Sequence, residues 1–342
     1  MKYFLLILIL IFCNKIVYSN NLFETPFYKV EFISNSIEND KIQKIQEIKK
    51  ISISNIFRDT LDYEDYNMIM LNTSNDFINS FIKNIIINDE RIVNDKYISK
   101  VKINFDKKKI IKFYREKKLP YIEYLPNKIL LIIYEDNQLK YDLFSVNNNF
   151  YSYFKDYLSN KSIFKIPNLD INDRFILKKD HIINKDIEKI IKFAKKYEVN
   201  QFVVVTVKTN NNDIISYDLI LYSDGQIKEK KIKSEDYKLD IFFQNLEMET
   251  LNIWKELNHV QNTSLNLLSC KVSYFNMQEL KEIRNKLNDV TIIKNLSIKS
   301  LSYKNIEYDI HYYGNLKILL NIFKINHLKV NIVEKLCKIT LT

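Results

Sequence analysis

Leu267-Leu268-Ser269-Cys270-Lys271-Val272-Ser273-Tyr274 opens the stretch of sequence that decides the fold. Leu268, Cys270, Val272 and Tyr274 share one parity, the period of two that marks a half-buried strand. Residues 277–287 switch to helical spacing, with Leu280, Ile283 and Leu287 on the inward face. Residues 290–298 and 306–312 read as a second and a third strand. Gly314 then starts a turn into a helix carrying Leu316, Leu319, Leu320 and Phe323, and residues 336–341 read as a fourth strand. Strand-helix-strand-strand-helix-strand is the ferredoxin-like layout, which predicts a ferredoxin-like domain over residues 263–342.

Upstream, residues 126–262 alternate strands and helices and predict a layered α/β domain. Residues 128–134 form a continuous apolar strand, and Phe150, Phe154, Tyr157 and Leu158 mark a helix. A short strand follows at 163–166. Asn184 is placed to cap a helix with Ile187, Ile190, Ile191 and Ala194 on one side. Phe202-Val203-Val204-Val205-Thr206-Val207 has the composition of a strand buried on both faces. Strands at 214–222 and 227–232 flank Ser223-Asp224-Gly225-Gln226, and Asp-Gly is the sequence of a type I′ hairpin turn. A long helix closes the segment, its stripe built from Leu239, Phe242, Phe243, Leu246, Ile253, Trp254 and Leu257.

Residues 20–125 predict an N-terminal α+β domain. A strand is expected at 27–33 and a helix at 39–57. Phe77, Ile78, Phe81, Ile82, Ile85 and Ile86 keep helical spacing after Ser74-Asn75-Asp76, so one helix is expected to run through Ile86. Tyr97, Val101, Ile103 and Phe105 alternate as a strand, and Asp106 is placed to cap a helix through Arg115. The fold class expected of the whole chain is α/β and α+β, in three domains bordered near 125 and 262.

Residues 1–19 read as a secretory signal peptide. Lys2 supplies the positive charge, residues 4–12 are uninterrupted apolar residues, and Val17-Tyr18-Ser19 offers a cleavage site before Asn20. The run is shorter than the roughly 20 residues a spanning helix needs, so no transmembrane span is expected in the mature chain. Cys13 follows Phe12, too large for the position before a lipidated cysteine, which argues against a lipoprotein. Cleavage removes Lys2 and Lys15 and no acid, lowering the formal charge from +10 to +8. Export argues against nucleic acid as the partner of that charge. Lys107-Lys108-Lys109 and the basic run at 228–233, which Glu229 interrupts, read as solvated faces, with weak contact to an anionic lipid or polymer surface as the alternative use.

Two glycines in 342 residues exclude whole classes of chemistry. Phosphate-cradling loops need clustered glycines, and Gly225 and Gly314 stand alone, so no Walker loop, dinucleotide fingerprint or nucleophile elbow exists. No cofactor is expected. Counting a calcium loop from Asp170 puts Phe175 at its glycine position and His181 at its bidentate glutamate position, so Asn168-Leu169-Asp170-Ile171-Asn172-Asp173-Arg174 reads instead as a polar loop with helix-capping carboxylates. His181, His259, His311 and His327 are too dispersed for a zinc pair of the helical or finger kind, and Asp180-His181 reads as a surface pair. Trp254 reads as a core anchor. No catalytic, cofactor or metal residue is assigned.

The arrangement resembles a bacterial envelope family catalogued as domain of unknown function 2066, over essentially the whole mature chain. The resemblance rests on the strand at 27–33, on residues 96–105 with the helix after them, and on Ile166-Pro167-Asn168-Leu169-Asp170-Ile171-Asn172-Asp173 ahead of the helix-strand unit at 185–205. Asp218-Leu219-Ile220-Leu221 and residues 308–320 with Gly314 complete it. It implies an exported periplasmic protein of Gram-negative bacteria and carries over no activity or catalytic residue. More loosely, the middle segment looks like the periplasmic domains of curli-export and Tol-system proteins, which are assembly and docking modules.

The function expected is therefore a non-enzymatic docking or assembly module of the cell envelope, located in the periplasm and meeting an envelope protein partner. The rival is an envelope hydrolase using dispersed carboxylates such as Asp170, Asp173 and Asp180. Cys270 and Cys337 remain after export. In a four-stranded ferredoxin-like sheet they lie on the antiparallel first and fourth strands, with Cys270 early in its strand and Cys337 nearer the middle of its own, and the expectation is two buried, unbridged thiols.

Overall fold

The structure is a computed structural model that describes residues 22–136, 143, 148–157, 162–210, 213–233, 238–261, 264–333 and 336–341. The leader, Cys13 and the expected cleavage site between Ser19 and Asn20 lie outside the described residues. The fold is mixed α/β, with eleven helices and three sheets among the described residues. The chain forms two compact units, one from the described residues up to Thr60 with Met70–Phe113, the other from Leu61–Ile69 with the described residues from Tyr114 onward.

In the first unit β1 (Tyr28–Ile33) and β2 (Ile82–Val93) both pair antiparallel with the central β3 (Lys96–Phe105). Alternation along β3 buries Tyr97, Ser99, Val101, Ile103 and Phe105. The long helix α1 (Ile37–Thr60) contributes Ile48, Ile53, Ile56 and Phe57 to the same core. Phe57, Phe77 and Phe81 pack edge to face with centroids 4.9–6.3 Å apart, geometry that the aromatic quadrupole favours. Ser74 caps the helix Asn75–Phe81 by accepting from the Phe77 amide. That helix stops at Phe81 rather than running through Ile86. Spacing alone cannot separate the two outcomes, and the β-branched run Ile85-Ile86-Ile87 wins its backbone bonds from β3, with Ile85 opposite Ile103 and Ile87 opposite Val101. After β3, Asp106 accepts from the amides of Lys108 and Lys109 and starts the helix Lys107–Glu116, as its spacing predicts.

The second unit carries two five-stranded sheets. In the first of them, β4 (Ile129–Asp136) lies parallel to β5 (Phe164–Lys165) and to β6 (Gln201–Asn210), and β7 (Asp213–Ser223) and β8 (Gln226–Lys233) extend it antiparallel. Phe202, Val203, Val204, Val205 and Val207 are all buried, as a strand covered on both faces requires. Helix α8 (Ile187–Lys196) covers one face with Ile190, Phe193 and Ala194. Asp186, not Asn184, caps it, because the Asp186 carboxylate reaches the Lys189 amide. The helices Asn149–Tyr157 and α9 (Leu239–Asn258) bring Phe150, Tyr153, Phe154, Phe242 and Phe243 into ring contact with one another, and Phe242 meets Tyr217 of β7. Trp254 is fully buried, a core anchor as expected, and meets Tyr124 edge to face at 5.4 Å. The turn between β7 and β8 is the two-residue hairpin predicted, with Asp224 at φ 48° and Gly225 at φ 88°.

The last sheet departs from the four-stranded expectation. β9 (Leu265–Ser273), helix Met277–Asp289, β10 (Ile293–Ser302), β11 (Asn305–Tyr313) and helix α11 (Leu316–Ile325) follow the predicted order. A further strand, β12 (Leu328–Val333), then precedes β13 (Leu336–Leu341), and the order across the sheet is β10-β11-β9-β13-β12. β12 takes an edge, and β13 turns back between it and β9. The extra reversal makes β13 parallel to β9 instead of antiparallel.

That reversal corrects the cysteine expectation. Cys337 is the register partner of Cys270, the Cα atoms lie 4.5 Å apart, and the two sulfurs are bonded as a disulfide. The register objection to a bridge held only for an antiparallel pair, and the parallel one removes it. Both cysteines are buried. Arg115 ties this sheet to the chain leaving the helix Lys107–Glu116: it donates to the Tyr121 hydroxyl at 3.1 Å and to the Thr291 carbonyl at 2.5 Å, and stacks over the Tyr313 ring.

Candidate functional site

Two of the three carboxylates singled out by sequence, Asp170 and Asp173, have structural employment. Asp170 caps the short helix Ile171–Ile176 by accepting from the Asp173 amide at 2.8 Å. That amide, helped by Lys196, holds its carboxyl below the usual carboxylate range. Asp173 is fully buried. Its oxygens accept from the Tyr197 hydroxyl at 2.6 Å, the Lys196 ammonium at 2.6 Å and the Leu169 amide at 2.9 Å. Burial pushes the Tyr197 hydroxyl up, and the Asp173 carboxylate beside it adds to the effect; the same carboxylate raises Lys196. Asp180 is exposed, and the neighbouring His181 turns inward on its own helix to accept from the Lys178 amide at 3.2 Å. The sequence reads the carboxylates of the 168–174 loop as capping groups, and Asp170 is one. The full burial of Asp173 has no signal in the sequence.

The Asp173 network is the base on which a cleft is built. Tyr197, fixed through its hydroxyl, presents its carbonyl to the ammonium of Lys165 at 2.8 Å. Lys165 lies on the two-residue strand β5, and its ammonium also stands over the Tyr197 ring, 5.8 Å from the centroid. A second chain of contacts runs from α9: Glu247 accepts from the Ser162 hydroxyl at 2.9 Å, and the Ser162 carbonyl takes the ammonium of Lys128, just ahead of β4. On the opposite wall Asn321 of α11 donates to the Tyr124 hydroxyl at 3.0 Å, and Tyr124 donates onward to Asn258 at 3.4 Å. Burial pushes the Tyr124 hydroxyl up to about 12. Gln201, at the start of β6, donates to the Ser223 hydroxyl at 3.1 Å, and Lys317 donates to the Ser223 carbonyl at 3.2 Å.

Between these walls lies a cleft of about 690 Å³, within the range of small-ligand pockets. Its cations are Lys128, Lys165 and Lys324, with His327 beyond the end of α11. Lys128 and Lys165 are bonded to neutral carbonyls, so their charge is oriented and not cancelled. Glu198 and Asp224 stand exposed at its edge. Its carboxamides are Asn127, Asn200, Gln201 and Asn321.

A second groove, of about 390 Å³, opens where α8's neighbours stop covering the sheet beyond Tyr134 and Thr206. Strand alternation divides the basic run at 228–233 there. Lys228 and Lys230 face α9 and pair with Glu256 and Glu249, while Glu229 faces the groove and takes Lys185 at 2.5 Å. Two of the run's four lysines are thus neutralised by α9. Among the described residues no group of three His, Cys, Asp or Glu side chains is placed to hold a metal ion, and no helix is long and apolar enough to cross a membrane. Compared with protein-family models, curated proteins and solved structures, the chain matches none.

Proposed function

We propose that the chain is an exported protein of the Gram-negative periplasm that acts as a non-enzymatic docking or assembly module of the cell envelope, in the manner of the domain of unknown function 2066 family it resembles. The observation that carries the export half of this reading is the buried Cys270–Cys337 disulfide, since such bridges persist in oxidising compartments and are rare in reducing ones. It agrees with the leader over residues 1–19.

The hydrolase reading asks for two carboxylates free to trade protons in one cleft. Asp173 is instead sealed by three donors, Asp170 is engaged as a helix cap, and Asp180 is exposed on another helix. These engagements favour docking over hydrolysis. The test is in-cell cross-linking of the mature chain followed by mass spectrometry, with periplasmic fractionation of the same cells. A periplasmic protein with one recurrent envelope partner is the expected result. A cytoplasmic protein, or a lone monomer that recovers no cross-linked partner, overturns the reading.

A further inference from the structure

We propose that the 690 Å³ cleft between the start of β4 and β6 and the end of α11 is a binding site for an acidic saccharide. The inference goes beyond the docking reading and does not depend on it, since it is tested on purified protein.

The charge argument comes first. Lys128, Lys165 and Lys324 come from three separate elements and converge on one concave surface. Two of them spend a single donor each on a backbone carbonyl, which leaves further N–H donors and the full charge of each ammonium for a ligand. Among the described residues none of the three is in a salt bridge. The acids of the cleft, Glu198 and Asp224, are exposed as its lysines are, and are outnumbered by them. The balance favours an anion.

The remainder of the surface selects what kind of anion. Asn127 and Asn200 are exposed, and each offers a donor and an acceptor side by side, the pairing that adjacent hydroxyls on a sugar ring satisfy, while Asn321 keeps its carbonyl oxygen and a second N–H beyond its bond to Tyr124. A nucleotide would need an aromatic platform for its base. Tyr197 is 5% exposed with its hydroxyl committed to Asp173, and Tyr124 is packed on Trp254, so neither ring is presented. An acidic peptide docking by strand addition would need a sheet edge, and the edge here, β5, is two residues long.

The experiment is titration calorimetry on the chain from Asn20 onward with three probes: trigalacturonic acid, the neutral trisaccharide maltotriose, and inorganic phosphate. The variant is Lys324→Gln with His327→Asn. Both side chains are exposed, and Asn tolerates the left-handed backbone at position 327, φ 57°. The expected result is binding of trigalacturonic acid that weakens in high salt and falls by about tenfold in the variant, with an unchanged melting temperature. Three outcomes with the unsubstituted protein overturn the proposal. They are no binding of the acidic sugar, equal binding of the neutral one, and phosphate binding as tightly as the sugar, which would define a simple anion site. Undiminished binding in a folded variant would place the ligand elsewhere and overturn it as well.

Discussion

Asp173 is a carboxylate withdrawn from water, and its surroundings repay that withdrawal with three donors, one of them charged. Removing one member of a buried charged group strands the others. Asp173→Ala is therefore expected to destabilise the second unit by about 3 kcal/mol, and Tyr197→Phe by about 1 kcal/mol, measured by urea unfolding. The neighbouring Asp170 gives a pH signature. Its folded-state carboxyl lies below the ordinary range, so its contribution is complete above the unfolded carboxylate pKa of about 3.9 and is lost as pH falls through the lower folded value. Asp170→Asn should flatten the acid limb of the stability profile, lowering the urea midpoint at neutral pH and converging with the native protein below the folded value. The loop containing both residues was legible as a capping loop from its Asp and Asn spacing. The cleft it supports was not, since Lys128, Lys165, Gln201 and Lys324 are scattered along the chain and meet only through strand pairing and the placement of α11.

Among the elements, the last two strands account for the largest departure from the sequence pattern. Leu328, Val330 and Ile332 do alternate, but the turn that admits β12 sits on His327 at φ 57°, where a glycine would have announced it. The β7–β8 hairpin shows the opposite case: Asp224-Gly225 names its own turn, and the structure follows it. A chain with two glycines must put ordinary residues in left-handed positions, and Lys118 at φ 56° after the helix Lys107–Glu116 is another. Lys118→Gly should therefore stabilise by about 0.5–1 kcal/mol, read as a rise in melting temperature, because the exposed lysine pays a steric cost that glycine does not. The reversal at β12 also places Cys337 beside Cys270. Closing 67 positions of chain, the bridge should contribute about 4 kcal/mol in the loop-entropy model. Cys270→Ser or Cys337→Ser should lower the urea midpoint accordingly, and no loss in either would show that the bridge does not form.

For the molecule as a whole, the leader and the disulfide bear on the same event from opposite ends of the chain. On the proposed export reading, a signal peptide over residues 1–19 would deliver the protein to a compartment that oxidises thiols, and its removal would take Cys13 with it, leaving an even pair. With Cys13 retained, a third thiol would compete for partners during folding by thiol–disulfide exchange. Cleavage before Asn20, if the proposal holds, would simplify oxidation to one possible bridge, between two residues that the parallel register of β9 and β13 already holds opposite each other. The mature protein is expected to have the intact mass of the chain from Asn20 to Thr342 less two hydrogens, and to resist alkylation when unfolded without reductant. After reduction it should take up two alkyl groups. A species retaining Met1, a diacylglycerol adduct on Cys13, or two alkylated thiols before reduction would each contradict it, the first two by removing cleavage at Ser19 and the third by removing the bridge.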